Sequence, residues 1–172
     1  ENTMGLDQCA GWLIEDDSVN LKPDTTIIKS GANEKVVDIN LYKGKLGAAA
    51  EEDWVDPYEN CMQDVVYTWR KHARLQEYMR RLWHLKRNTE IPYGVLADDF
   101  NAERLILNRG DLVVLYELVK QDNLPFCPDG FFWGQQFQEE QMKRYKEQDL
   151  EFCEAAIKWT EEGKTAWYGC DW

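Results

Sequence analysis

The chain has 172 residues, of which 44 % are apolar, and a formal net charge of −12. That length suits one domain with a proper core, and the apolar fraction is ordinary for a globular protein. The charge excludes general nucleic-acid binding, which needs positive surface to neutralise phosphates.

The elements are expected in this order. Cys9 to Ile14 is a short apolar run and reads as a strand. Glu15 to Asn33 is polar, punctuated by Pro23 and Gly31, and reads as loop. Val36 to Tyr42 alternates apolar and polar residues, the period of a half-buried strand. Ala48 to Asn60 carries five acids and Pro57 and reads as an exposed connection. Asp64 to Trp69 is rich in residues with strand preference.

Helical spacing begins at Arg70. Leu75, Met79, Leu82 and Trp83 form a core-facing stripe of a helix over 70–86, and Glu77 precedes Arg81 by one turn. Asn88 to Asn101 is a break, and Arg104 to Leu107 a short strand. Asn108 is an N-cap and Asp111 suits the positive helix end, so a second helix spans 109–121 with Leu112, Leu115, Tyr116 and Val119 inward. Leu124 to Gly134 is loop. A long helix over 138–162 places Met142, Tyr145, Phe152, Ala156 and Trp159 on one stripe and ends at Gly163. Thr165 to Trp172 is a terminal strand rich in rings. The strict α/β alternation of a doubly wound sheet is missing. The expected fold is α+β: a single domain over 1–172, a small and mostly antiparallel sheet with about three helices packed on it, and a loop-rich insertion over 15–60.

The charge is unevenly distributed. Arg70 to Arg87 holds seven cations, both histidines of the chain and one acid, for a net +6, while the flanks on either side each net −9. Segregation of this kind is a signal about partners. Tyr67, Trp69, Arg70, Lys71, His72 and Arg74 carry rings directly into cations at a strand-to-helix junction. Helix-start amides and arginine there favour a phosphate or carboxylate. The alternative is a solvated flank that balances nearby acids. Gly130 to Gly134 swings Phe131, Phe132 and Trp133 inward, as plugs of the core or, at Trp133, as a stacking face.

Catalytic chemistry is harder to find. Asp16–Asp17, Glu51 to Asp53 and Asp98–Asp99 are paired acids in polar loops and read as solvated surface. Asp149 interrupts an apolar stripe, so it is expected buried with a partner, an arginine of the basic island being the candidate. His72 and His84 lie too far apart to share a metal, and no Cys/His cluster exists. Five cysteines without a C-x-x-C argue against disulfides or zinc. Cys127, beside the rings, reads as an inert thiol rather than a nucleophile. No phosphate-binding glycine loop is present. No catalytic residue, metal or cofactor is therefore expected. No apolar stretch reaches spanning length and no signal peptide opens the chain, so no membrane contact is expected.

Met4 to Gln8 (Met-Gly-Leu-Asp-Gln), Tyr67 to His72 (Tyr-x-Trp-Arg-Lys-His) and Gly130 to Gly134 (Gly-Phe-Phe-x-Gly), followed by a charged helix and an aromatic end at Trp167 to Trp172, resemble a family of short phage-encoded proteins of marine and cyanobacterial phages. The resemblance covers about two thirds of the chain and departs at 15–60. That family has no agreed function. Its frequent label, phosphoglycerate kinase, does not suit a chain this short without nucleotide-binding glycines. The resemblance implies an acidic viral protein in the cytoplasm of an infected bacterium. Three functions are compatible: a non-catalytic binding module for a host protein or a small anionic, nucleotide-like ligand; an enzyme on a phosphorylated metabolite with Asp149 or His72 as acid/base; and a virion structural or assembly protein. The binding surface expected for the first is Tyr67, Trp69, Arg70, Lys71, His72, Arg74 and Trp133.

Overall fold

A computed structural model of the chain describes residues 5–14, 25–30, 33–38, 62–92 and 99–172. Strands β1 (Asp7–Ile14), β2 (Thr25–Ser30), β3 (Asn33–Asp38), β4 (Met62–Arg70), β5 (Arg104–Leu107) and β6 (Thr165–Asp171) form one sheet in the order β3-β2-β4-β1-β6-β5. All neighbours run antiparallel except β2 and β4. Among the described residues three helices accompany the sheet in a small α+β fold: α1 (Ala73–Arg87), α2 (Arg109–Lys120) and α3 (Gln138–Glu161). The expected fold class is the observed one.

Register puts Gln8, Ala10, Tyr67, Trp69, Leu105, Tyr168 and Cys170 on one face of the sheet. That face meets the helices. The Trp69 and Tyr67 rings lie 5.4 and 5.6 Å from Phe152 of α3, both edge-on. Gln76 of α1 reaches the Cys170 thiol at 3.3 Å. The other face is also buried, at Cys9, Thr68 and Trp167.

Two strand expectations shift. Thr25–Ser30, read as loop, is a strand paired with β3. The Val36–Tyr42 strand starts earlier, at Asn33, and ends at Asp38; Ile39 to Tyr42 and the expected exposed connection over 48–60 lie outside the described residues. Alternation finds a strand only where one face is polar, and Thr25–Ser30 has no alternation to find.

Helix ends follow local chemistry. Asn108 caps α2 in a full capping box, its side chain accepting from the Asp111 amide at 2.8 Å while Asp111 accepts from the Asn108 amide at 2.9 Å. Gly163, just past α3, has a φ of +84°, the left-handed conformation that ends helices. α1 begins three residues later than the apolar spacing implies, because Lys71 takes a φ of +53° between strand and helix.

β1 and β4 slip register between Ala10 and Gly11. A β-carbon on Gly11 would sit 1.9 Å from the Asp64 carbonyl oxygen. Only glycine lets the two backbones approach this closely. Gly11→Ala is expected to cost about 1–3 kcal/mol, the usual cost of forcing extra volume into a packed interior. The urea midpoint measures it; an unchanged midpoint would mean that the bulge relaxes freely.

Candidate functional site

The strand-to-helix junction singled out by the sequence is a built joint. Its backbone groups are satisfied by side chains from two directions. Gln8 on β1 accepts from the His72 amide at 2.9 Å and donates to the His72 carbonyl at 3.1 Å. On α3, Tyr145 accepts from the Arg70 amide at 3.2 Å and Gln141 donates to the Arg70 carbonyl at 3.0 Å. Gln148, two turns along from Gln141, donates to the Thr68 carbonyl at 2.8 Å. The Lys71 amide donates to the Leu6 carbonyl at 3.0 Å.

Beneath the joint lies Asp149, 1 % exposed. It is buried and bonded as expected, but its partners are not arginines. The Trp69 indole nitrogen donates to Oδ1 at 2.8 Å, and His72 Nε2 donates to Oδ2 at 2.7 Å. The His72 ring stacks on Tyr145, centroids 5.3 Å apart. His72 is fully buried, and its Nδ1 has no hydrogen-bond partner. The Tyr67 hydroxyl donates to Glu151 at 2.8 Å, and burial, then that carboxylate, raises its pKa well above the ordinary phenol value.

The expected surface therefore divides. Tyr67, Trp69, His72 and Trp133 are core residues, each no more than 3 % exposed. They do not form a face on which a ligand stacks. Trp133 lies edge-on to Trp172 at 5.2 Å inside the molecule. Period-two alternation carries the aromatic members of β4 inward and leaves Arg70 on the opposite face, bonded to Asp7 at 2.6 Å.

The basic island is largely internal wiring. Arg74 donates to the Leu124 carbonyl and to Glu139. Arg80, 1 % exposed, pairs with both Glu77 and Asp99 at 3.1 Å. Burial alone would lower its pKa, but the hydrogen bonds it donates to Glu77 and the charges of Glu77 and Asp99 more than offset that and raise it. Arg81 bonds Glu77 at 2.6 Å, the pair expected from the spacing, and Lys86 bonds Asp111 at 2.5 Å. Arg87 lies 4.3 Å over the Trp83 ring. Lys71 is the exception: among the described residues its ammonium has neither an ion-pair partner nor a ring beneath it. Asp99, read as solvated, is 4 % exposed and joins Arg80 to His84. Its polar sequence neighbours concealed a residue that a buried arginine requires.

The sequence pattern gives no sign of Phe126 and Phe137 as surface rings, and Phe132, expected to swing inward, is instead exposed. Phe126, Phe132 and Phe137 are 57, 42 and 53 % exposed and are the exposed aromatic rings among the described residues. All three sit on the connection between α2 and α3. The Cys127 amide donates to the Gln138 side chain at 2.9 Å, which in turn donates to the Cys127 carbonyl at 3.0 Å, closing that connection into a loop. The Leu6 amide bonds the Phe132 carbonyl at 2.9 Å and ties the loop to the joint. The apolar runs gave no warning, because a phenylalanine in sequence looks like core.

Cys127 is buried and its thiol donates to the Asp129 carbonyl at 2.7 Å. Burial pushes it up to about 12. Among the described residues no three His, Cys, Asp or Glu converge as metal ligands, and no helix is long and apolar enough to cross a membrane. No protein-family model matches the chain, and neither the curated proteins nor the solved structures contain a match.

Asp149→Ala strands a buried histidine and a buried indole N–H, and is expected to cost about 3–5 kcal/mol. Chemical denaturation measures the loss; a shift below 1 kcal/mol would mean that the pair is dispensable. The raised Cys127 pKa has a second consequence. The folded thiol holds its proton where the unfolded thiol, near its ordinary value of 9, loses it. Stability from this group is complete below pH 9 and declines as pH rises toward about 12. Native protein at pH 9 should leave Cys127 unlabelled by iodoacetamide while urea-unfolded protein labels it, as peptide mass mapping would show.

Proposed function

We propose that this protein is a non-catalytic binding module. Its target is a host protein met during phage infection, and its contact surface is the connection between α2 and α3. The observation that carries this reading is the exposure of Phe126, Phe132 and Phe137 on that one connection. Phenylalanine has no polar atom with which to satisfy water, and several exposed rings on one connection mark an interaction surface. The phage origin rests on the sequence resemblance alone.

The enzyme reading needs an acid/base group within reach of a substrate. Its two candidates, His72 and Asp149, are buried and bonded to each other. Geometry favours binding over that alternative, and no observation favours a virion role.

The triple variant Phe126→Ser, Phe132→Ser, Phe137→Ser should keep the wild-type unfolding midpoint to within about 1 kcal/mol, as exposed sites do. It should lose the host protein that wild type retains when purified from infected cells. A folded triple variant that retains the same partner would place the contact surface elsewhere.

A further inference from the structure

The geometry points to an oxyanion site at the Arg70–Lys71 corner, centred on the Lys71 ammonium, that takes a carboxylate or phosphate group. It rests on the binding reading only in adjoining the same surface.

Lys71 is unusual in three independent ways. Its φ of +53° is rare for a residue with a β-carbon and is costly to hold. Its side chain is laid in a track between two glycines. A β-carbon on Gly134 would meet Lys71 Cβ at 3.0 Å, and one on Gly5 would meet Lys71 Cε at 2.5 Å. Both glycines have positive φ, +78° and +124°. The stem of the lysine is thus guided, unlike that of an ordinary surface lysine, and less rotamer freedom remains to be lost on binding. Finally, its ammonium alone, among the island's cations, has no partner among the described residues.

The track brings like charges together. The β-carbon position of Gly5 lies 3.3 Å from Lys71 Nζ and 3.2 Å from Arg70 Nη2. Two cationic heads that converge on one backbone point repel each other unless an anion lies between them. Asp7 offsets one of them, through Arg70 Nη1 at 2.6 Å. Among the described residues the Lys71 ammonium is left without an acidic partner, on a strongly acidic protein whose bulk electrostatics repel anions. Only a local, preorganised donor set captures an oxyanion there.

The Lys71–Phe132 neighbourhood narrows the ligand. The Leu6 carbonyl accepts from Lys71 while the Leu6 amide donates to Phe132. Exposed Phe132 is thus linked to Lys71 through the backbone of one residue, which favours an anion attached to an apolar or aromatic body.

The test uses the full chain labelled with 15N, with phenyl phosphate, benzoate and inorganic phosphate as probes at constant ionic strength. Amides of Gly5, Leu6, Lys71 and Gly134 should shift saturably, and one of the two aromatic probes should bind at least fivefold more tightly than inorganic phosphate. Saturation by phenyl phosphate identifies phosphate as the natural group, and saturation by benzoate identifies carboxylate. Lys71→Met should weaken the response at least tenfold, and Lys71→Gly, which fits the left-handed backbone, should do the same without loss of stability. Lys120→Met, on the exposed side of α2, should leave it unchanged. Shifts that never saturate, or that persist in folded Lys71→Gly, overturn the site. The isolated protein is titrated without its partner, so the triple phenylalanine variant should still bind the probe. Loss of partner capture and loss of anion binding are thus separate outcomes.

Discussion

The structure depends on one short joint, Arg70 to His72, where a central strand turns directly into a helix. A chain leaving a strand in extended conformation cannot enter an α-helix without a residue that redirects it. Here that residue is Lys71, in the left-handed region. The redirection exposes backbone groups inside the molecule, and each one left unbonded would cost on the order of 1–3 kcal/mol. Gln8, Gln141 and Tyr145 supply the missing partners. Gln141, Tyr145, Gln148 and Asp149 recur at one face of α3, so the helix that packs on the sheet is also the helix that holds the turn. Its grip explains why a core-facing stripe contains two glutamines and a carboxylate.

The same joint fixes the ionic architecture. α1 leaves it at a set angle and carries Arg80 and Glu77 into the interior, where Asp99 and His84 complete a buried network. Arg80 also donates to the Pro92 carbonyl at 3.3 Å, so one guanidinium ties both sides of the 93–98 segment to the helix. Such pairs rarely add net stability over apolar packing, but once buried neither partner can be removed cheaply. The concentration of positive charge in the sequence thus has an internal cause. A helix surrounded by acidic elements carries the cations that bind those elements to it.

What the sequence revealed and what it hid divide along this line. Apolar spacing located the three helices among the described residues, and Asn108 with Asp111 placed the start of α2 at the correct residue. Spacing also marked Asp149 as buried, since a carboxylate on an apolar stripe has nowhere else to go. It could not name the partner. Trp69 and His72 reach Asp149 across 80 and 77 residues of chain, and periodicity carries no information about contacts at that separation. Asp99 failed for the converse reason: it lies in a polar run, and only the buried Arg80 reveals its burial. The joint itself was legible as a junction of rings and cations. Strand alternation turns the Tyr67 and Trp69 rings inward and Arg70 to the opposite face, so the rings and cations expected on one surface are separated.

The kinds of ring reinforce the division. Trp69, Tyr67, Tyr145 and Tyr168 each use a polar atom as well as an aromatic face, and each is bonded within the molecule. Inside, the polar atom is what specifies orientation. Phenylalanine has no such atom. The buried ones, Phe100 and Phe152, serve as packing volume. Phe126, Phe132 and Phe137 each leave a large part of an apolar ring in water, a cost that folding alone does not explain. Lys71 is a second such cost, strained and without an ion-pair partner among the described residues, and its amide bonds the same residue, Leu6, whose amide bonds Phe132. Folding accounts for the joint, but it does not require that the strained residue be a lysine; glycine would turn the chain with less strain. A lysine at that position, next to rings that face water, makes physical sense if something else completes the surface. Two unrelated local costs in adjoining places are the strongest reason to locate the function of this protein at that corner.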